Sequence, residues 1–186
     1  MGFQVGPRRS NVWDDVLALD KLIRTADFDI TGKDEREFEF DLRSKIALYK
    51  KLGNIKGKFF SQLSKDASVR SVRIFGKNHR PDLTIDEDGI AIELKLLRSS
   101  LDGLKQSIGQ AIFYRIRYRF VINLLVVDEK YKTVYEKACS EGEKDLEDIC
   151  LELSKEMNIF TYIVPNFAPD PGMKKVLAWN DVDDSD

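Results

Sequence analysis

The chain is expected to fold as an α/β protein, with a mixed central sheet flanked by helices. Three observations predict this. Segments with helical spacing of apolar residues alternate with short β-branched runs, so helices should pack on a sheet. Residues 120–127 are apolar on both faces, as a central strand would be. Residues 80–95 read as two short strands joined by a tight turn, so the sheet is not purely parallel.

Length and composition set the scale. The 186 residues suit one domain, or one domain with a small appendage. A hydrophobic fraction of 42% and a charged fraction of 33% fit a soluble globular protein. The longest apolar run, Val121 to Val127, is strand-sized and interrupted by Asn123. It is too short to span a bilayer, so no membrane partner is expected. Residues 1–10 lack the apolar core of a signal peptide. Cys139 and Cys150 are too few and too isolated for a disulfide framework or a zinc site. These features point to reduced thiols in an intracellular, cytoplasmic protein.

The net charge of −2 argues against a generally basic protein that coats DNA. The distribution is more telling. Arg43 to Arg80 holds eleven Lys or Arg and a single acid, whereas Asp128 to Glu156 holds ten acids and five bases. One part of the chain could track phosphates while another repels them.

In chain order, residues 1–10 look loose. Asn11 can cap a helix from Val12 to about Thr25, with Val12, Val16, Leu19 and Ile23 as its apolar stripe. Residues 1–30 thus form an N-terminal helical extension to a central domain at 31–165, with 166–186 as a C-terminal extension. Thr31 or Asp34 starts a second helix, Asp34 to Leu52, which Gly53 ends. Its stripe is Phe38, Leu42, Ile46 and Tyr49. Glu35 and Glu39 lie close to that stripe in the first two turns, where acids suit the helix dipole.

Lys56 to Ser64 is basic, carries Phe59 and Phe60, and has no clear form. Val69 to Phe75 reads as a strand, and Gly76 to Arg80 as a basic turn holding the only histidine, His79. After the paired strands of 80–95, a helix is expected from Asp102-Gly103 to about Arg117. Gln106, Gln110 and Tyr114, at spacing four, share one face. Leu104, Ile108, Ala111, Ile112 and Phe113 occupy others, which suggests burial on more than one side. A helix at Glu141 to Met157 and a strand at Ile159 to Val164, stopped by Pro165, follow the central strand. The acidic end, Asp181 to Asp186, is expected to be disordered.

The chemistry concentrates at residues 80–95. Asp88-Gly89 signals a two-residue I′ turn, whose central positions need φ > 0. Strand alternation then puts Ile90, Ile92, Leu94 and Leu96 on one face, and Ala91, Glu93 and Lys95 on the other. The adjoining strand can bring Asp82 beside Glu93. Two carboxylates and a lysine therefore converge at a sheet edge. Carboxylate oxygens suit a hard cation such as Mg²⁺ or Mn²⁺, with water and substrate phosphate completing its shell. A nearby lysine can steady charge developing on phosphate. Such a set suits hydrolysis of a phosphodiester.

Pro81-Asp82 followed by Glu93-Leu94-Lys95 resembles the signature of the PD-(D/E)XK nuclease superfamily, the restriction-endonuclease-like fold. Glu35-Arg36-Glu37-Phe38 resembles that family's first-helix pattern, in which a glutamate points into the metal site; Glu35 is preferred to Glu39. Gln110 and Tyr114 match the Gln-x-x-x-Tyr helix found in the nuclease domains of recombination helicases and related exonucleases. The resemblance covers Glu35 to about Val127. It implies a restriction-endonuclease-like core with an extra N-terminal helix, and a metal-dependent nuclease. Asp82 and Glu93 would be the metal ligands, Glu35 a further direct or water-mediated one, and the Leu94 carbonyl would complete the shell. Lys95 would assist the attacking water, with Gln110 and Tyr114 orienting Lys95 or the substrate. Lys77, His79 and Arg80 would contact the nucleic-acid backbone, DNA being preferred to RNA. A catalytically idle binding or assembly subunit of the same fold is the alternative. A homodimer is an open expectation, since junction resolvases act as dimers.

Overall fold

A computed structural model describes residues 10–29, 31–61, 69–98, 100, 102–168, 170 and 173–182. Within these the chain is an α/β protein built on a mixed five-stranded sheet flanked by helices.

Two capped helices open it. Helix α1, Asn11–Thr25, is capped by Ser10, one residue before the expected Asn11. The Ser10 side chain accepts from the Trp13 amide, satisfying one of the orphan donors of the first turn. Helix α2, Glu35–Lys51, begins after Asp34 in a reciprocal capping box with Glu37. This cap places Glu35 in the first turn of α2. Phe38, Leu42 and Ile46 of the expected stripe are buried.

The strands are β1 (Phe59–Ser61), β2 (Val72–Ile74), β3 (Lys77–His79), β4 (Leu83–Ile85), β5 (Ile90–Leu97), β6 (Phe120–Val127) and β7 (Ile159–Pro165). The main sheet has the order β1-β4-β5-β6-β7. Its first three strands are antiparallel, and β5, β6 and β7 run parallel. The parallel step from β5 to β6 needs a crossover, which helix α3, Asp102–Tyr114, supplies. Strand β6 is central and buried along its whole length, as its two-sided apolar pattern requires.

The sheet separates two layers. On one face, α1 and α2 pack Trp13, Val16, Leu19, Phe38, Leu42 and Ile46 against Ile90, Ile92, Leu94, Phe120, Ile122 and Phe160. The Trp13 ring lies 5.5 Å from that of Phe120 and 5.9 Å from that of Phe160. Such ring pairs add about 1 kcal/mol each beyond the area they bury. The other face packs Ala111, Tyr114 and Leu153 on Ala91, Val121 and Ile159. Buried Asp15 of α1 accepts from the Lys56 and Gly57 amides at 2.7 and 2.8 Å, and so holds the approach to β1.

Several expectations are corrected. The Val69 to Phe75 strand shrinks to β2, and the presumed turn at Gly76 to Arg80 contains β3, so the two form a separate hairpin. Its tip is Phe75-Gly76, with φ of 48° and 76°. A phenylalanine in this left-handed region costs about 1 kcal/mol or more, since its Cβ crowds the backbone.

The β4–β5 connection is not a two-residue I′ turn at Asp88-Gly89. It is a four-residue loop, Asp86 to Gly89, and Asp86 carries the positive φ of 57°. Gly89 is required for space instead: a Cβ there would sit 2.6 Å from the Ile85 carbonyl oxygen.

Helix α3 ends at Tyr114 rather than Arg117, and Ser107, Ala111 and Tyr114 are its buried stripe. Ile108, Ile112 and Phe113 pack half-buried on the second layer while Leu104 packs on a further apolar cluster, so the helix is covered on more than one side. The helix expected at Glu141 to Met157 is α5, Lys144–Met157; a further helix, α4, Lys132–Glu141, precedes it, and Gly142 with φ 81° separates them. Residues 1–9 and 183–186, expected to be loose, lie outside the described residues. Leu177 bridges back to Ile163 of β7, and Val176, Ala178 and Val182 pack on the main core.

Candidate active site

The site forms where β4 stops and β5 continues. Leu83 pairs with Ile92, and β4 ends there, so the second half of β5 has no strand on that side. The amides of Leu94 and Leu96 would be orphaned at this edge, and backbone donors rarely remain so. Carboxylates take the place of the missing strand. Asp82, just before β4, accepts from the Leu94 amide at 2.8 Å. Glu35, at the start of α2, accepts from the Leu96 amide at 3.4 Å. The N–H and C=O of a strand residue point to the same side, so the Leu94 carbonyl faces this open edge too.

The side chains of β5 fall as alternation requires. Ile90, Ile92 and Leu94 enter the core under α1 and α2, and Ala91 enters the opposite layer. Glu93 is buried at 4% exposure. Lys95 is half-buried and donates from Nζ to Glu35 Oε1 at 2.9 Å.

Electrostatics makes the two carboxylates unusual. Burial, with the charges of Glu39 and Glu35, pushes Asp82 up from 3.8 to about 7, against the opposing Leu94 amide bond and Lys95. Burial and the charge of Asp82 push Glu93 up from 4.5 to about 8, although Tyr114 and Lys95 favour its ionised form. Among the described residues Glu93 Oε2 has no hydrogen-bond partner. The pair therefore resists ionising twice unless a positive charge joins it. For Lys95, burial alone would lower the pKa; the hydrogen bond and charge of Glu35, with Glu93 and Asp82, outweigh it and raise it. Lys95 is thus a fixed ammonium at neutral pH.

The donor set fits a hard divalent cation of the Mg²⁺ type. Such an ion commonly takes one or two carboxylates, filling its other positions with water and phosphate. Among the described residues, no group of three or more His, Cys, Asp or Glu is placed to hold a metal. Asp82 and Glu93 act on each other's charge, and Glu35, bonded to Lys95 and the Leu96 amide, keeps further lone pairs that could meet a cation or its water.

The structure brings together Asp82, Glu93, Lys95, Glu35 and Tyr114 of the residues expected at the site. Tyr114 OH donates to the Arg80 carbonyl at 3.0 Å and so holds the turn that leads into Asp82. Burial and Glu93 raise its pKa, so the phenol stays protonated. Gln110 lies one turn earlier on α3, and its Oε1 is buried without a partner among the described residues. His79 packs its ring edge-on against Phe113, 5.2 Å between centroids. Lys77 is exposed next to the β2–β3 tip, and Arg80 is half-buried.

Glu39, the less favoured helix glutamate, is also part of this region. It is buried, accepts from Ser61 Oγ at 3.0 Å, and its charge acts on Asp82. Sequence reasoning missed Ser61 and Asn123. Asn123 sits in register with Glu93 and Thr161 on neighbouring strands, making a polar row across an apolar sheet. Ser107 Oγ donates to its Oδ1. Its signal was the single polar break in the longest apolar run. The chain matches no protein-family model, no curated protein and no solved structure, so the site's own chemistry must carry its interpretation.

Proposed function

We propose that the protein is a divalent-metal-dependent nuclease that hydrolyses phosphodiester bonds of nucleic acid, with DNA preferred to RNA. The observation that carries this is the convergence of half-buried Asp82 and buried Glu93, two carboxyls with raised pKa values, at an open strand edge beside the Lys95 ammonium. The order helix, antiparallel strands, crossover helix, parallel strand supports a restriction-endonuclease-like core.

Each residue has a part in that chemistry. Asp82 and Glu93 would hold the cation, and the Leu94 carbonyl faces the same edge. When bound, the cation would supply Lewis acidity toward a phosphoryl oxygen and make water acidic enough to attack at neutral pH. Lys95, kept protonated and aimed by Glu35, stabilises negative charge developing on the phosphate and orients water. It does not act as a base. Tyr114 braces the turn before Asp82 and adjoins Glu93, and Gln110, one turn earlier on the same helix, would orient the substrate.

The test is incubation with linear, circular, single-stranded and branched DNA, with and without Mg²⁺ or Mn²⁺. Cleavage should require the cation and fall by more than about a hundredfold in Asp82→Asn and Glu93→Gln. Binding without cleavage under every cation would make the chain a binding subunit instead.

A further inference from the structure

The β2–β3 hairpin is fixed at its base and bare at its tip. Val72 is buried against the second layer, His79 packs on Phe113, and Tyr118 OH bonds both the amide and the carbonyl of Arg70, at 2.9 and 3.0 Å. At the tip, both residues of the two-residue turn have positive φ, which favours Asn, Asp or Gly. Phe75 occupies the first position and is fully exposed, at 102% of its reference area. The ring therefore makes no packing contact that would offset its strained backbone, and uncompensated strain of this kind gathers at functional positions.

Its neighbours are basic. Arg73 and Lys77 are exposed, and among the described residues neither forms an ion pair. Gly76 is six residues from Asp82, so the tip lies within about 20 Å of the carboxylate pair. A bare planar ring between two unpaired cations matches an unstacked base between two phosphates.

We propose that Phe75 is a base-stacking finger. Resting on the nuclease reading, this assigns the substrate class: nucleic acid with an unpaired base, single-stranded, overhanging or frayed, in preference to intact duplex. Phe75 stacks on the base while Arg73 and Lys77 hold the flanking phosphates.

The test measures anisotropy of labelled single-stranded, overhanging and blunt duplex oligonucleotides with the full chain in EDTA, alongside cleavage in Mn²⁺. Phe75→Asn suits the turn, so it should fold and melt at a higher temperature than wild type. It should bind single strands about 5- to 150-fold more weakly and leave blunt-duplex binding unchanged. Phe75→Trp should keep the affinity. Equal single-strand affinity in wild type and Phe75→Asn, with wild type still binding and cleaving, would overturn the finger alone. Wild type that neither binds nor cleaves any substrate would overturn the nuclease reading and the finger with it. Unchanged nucleic-acid affinity but lost self-association of Phe75→Asn in sedimentation would make the tip a protein contact, and likewise overturn the proposal.

Discussion

At the residue scale, burial holds Asp82 and Glu93 where their charged forms are disfavoured, a cost in stability that a bound cation would offset. Both folded pKa values are raised, to about 7 and about 8, above ordinary values of 3.8 and 4.5. The folded state therefore holds protons that the unfolded chain has released, and stability falls as pH rises from about 4 to about 8, flattening above. In EDTA, the melting temperature should drop by about 5 °C or more between pH 5 and pH 8.5. Mn²⁺ should restore it at pH 8.5 and do little at pH 5. Glu93→Gln should flatten the profile, because the amide carries no charge to bury; calorimetric scans of both proteins check this. Lys95 gives a different prediction. An ammonium cannot ligate a metal. Lys95→Ala should keep Mn²⁺ affinity by titration calorimetry while losing cleavage by about a hundredfold.

At the element scale, the site exists because β4 is three residues long and β5 eight. Had β4 continued past Leu83 toward its N-terminus, its backbone would occupy the Leu94 and Leu96 amides that Asp82 and Glu35 now take. The β4–β5 loop holds this register through Gly89, where a side chain would meet Ile85 backbone rather than a movable group. Gly89→Ala should cost about 2 kcal/mol, lowering the melting temperature by about 4–8 °C. Thermal denaturation with unchanged circular dichroism at 20 °C would check it. The Asp34 capping box matters for the same reason, since it sets the helical turn from which Glu35 reaches β5.

At the scale of the whole molecule, a net charge of −2 conceals an uneven distribution. Of the basic stretch, Arg70 is tied to Glu87 and Lys56 to Asp14, whereas Lys77 remains exposed at the hairpin tip. Each phosphate contact contributes roughly −0.9 to the slope of log K against log salt on duplex DNA, or about −0.7 on single strands. Lys77→Gln, in an Asp82→Asn background, should reduce the slope magnitude by about one and weaken all sequences alike. Anisotropy across a salt series measures both. Arg80→Gln should have the smaller effect, because Arg80 is half-buried and its carbonyl is bound by Tyr114.

What could be read from the chain was local. Apolar spacing placed α1, α2 and β6, and two-residue alternation sorted Ile92 and Leu94 from Glu93, because side-chain direction along a strand depends on nothing distant. Capping chemistry narrowed the start of α2 to Thr31 or Asp34, of which the structure uses Asp34, and missed that of α1 by one residue. The turn at Asp88-Gly89 was misread, because its glycine answers a contact with Ile85 rather than a demand for positive φ. The extra hairpin at residues 72–79 went unseen for a like reason: a strand of three residues carries too little alternation to recognise, and is held by Tyr118 and Phe113 from elsewhere. Tertiary structure alone decided that β4 ends where Asp82 must cap β5, that Glu39 meets Ser61, and that Asn123 falls in register with Glu93. It also decided the raised pKa values of the carboxyl pair. Burial and the distance between charges are properties of packed elements, and no spacing along the chain encodes them.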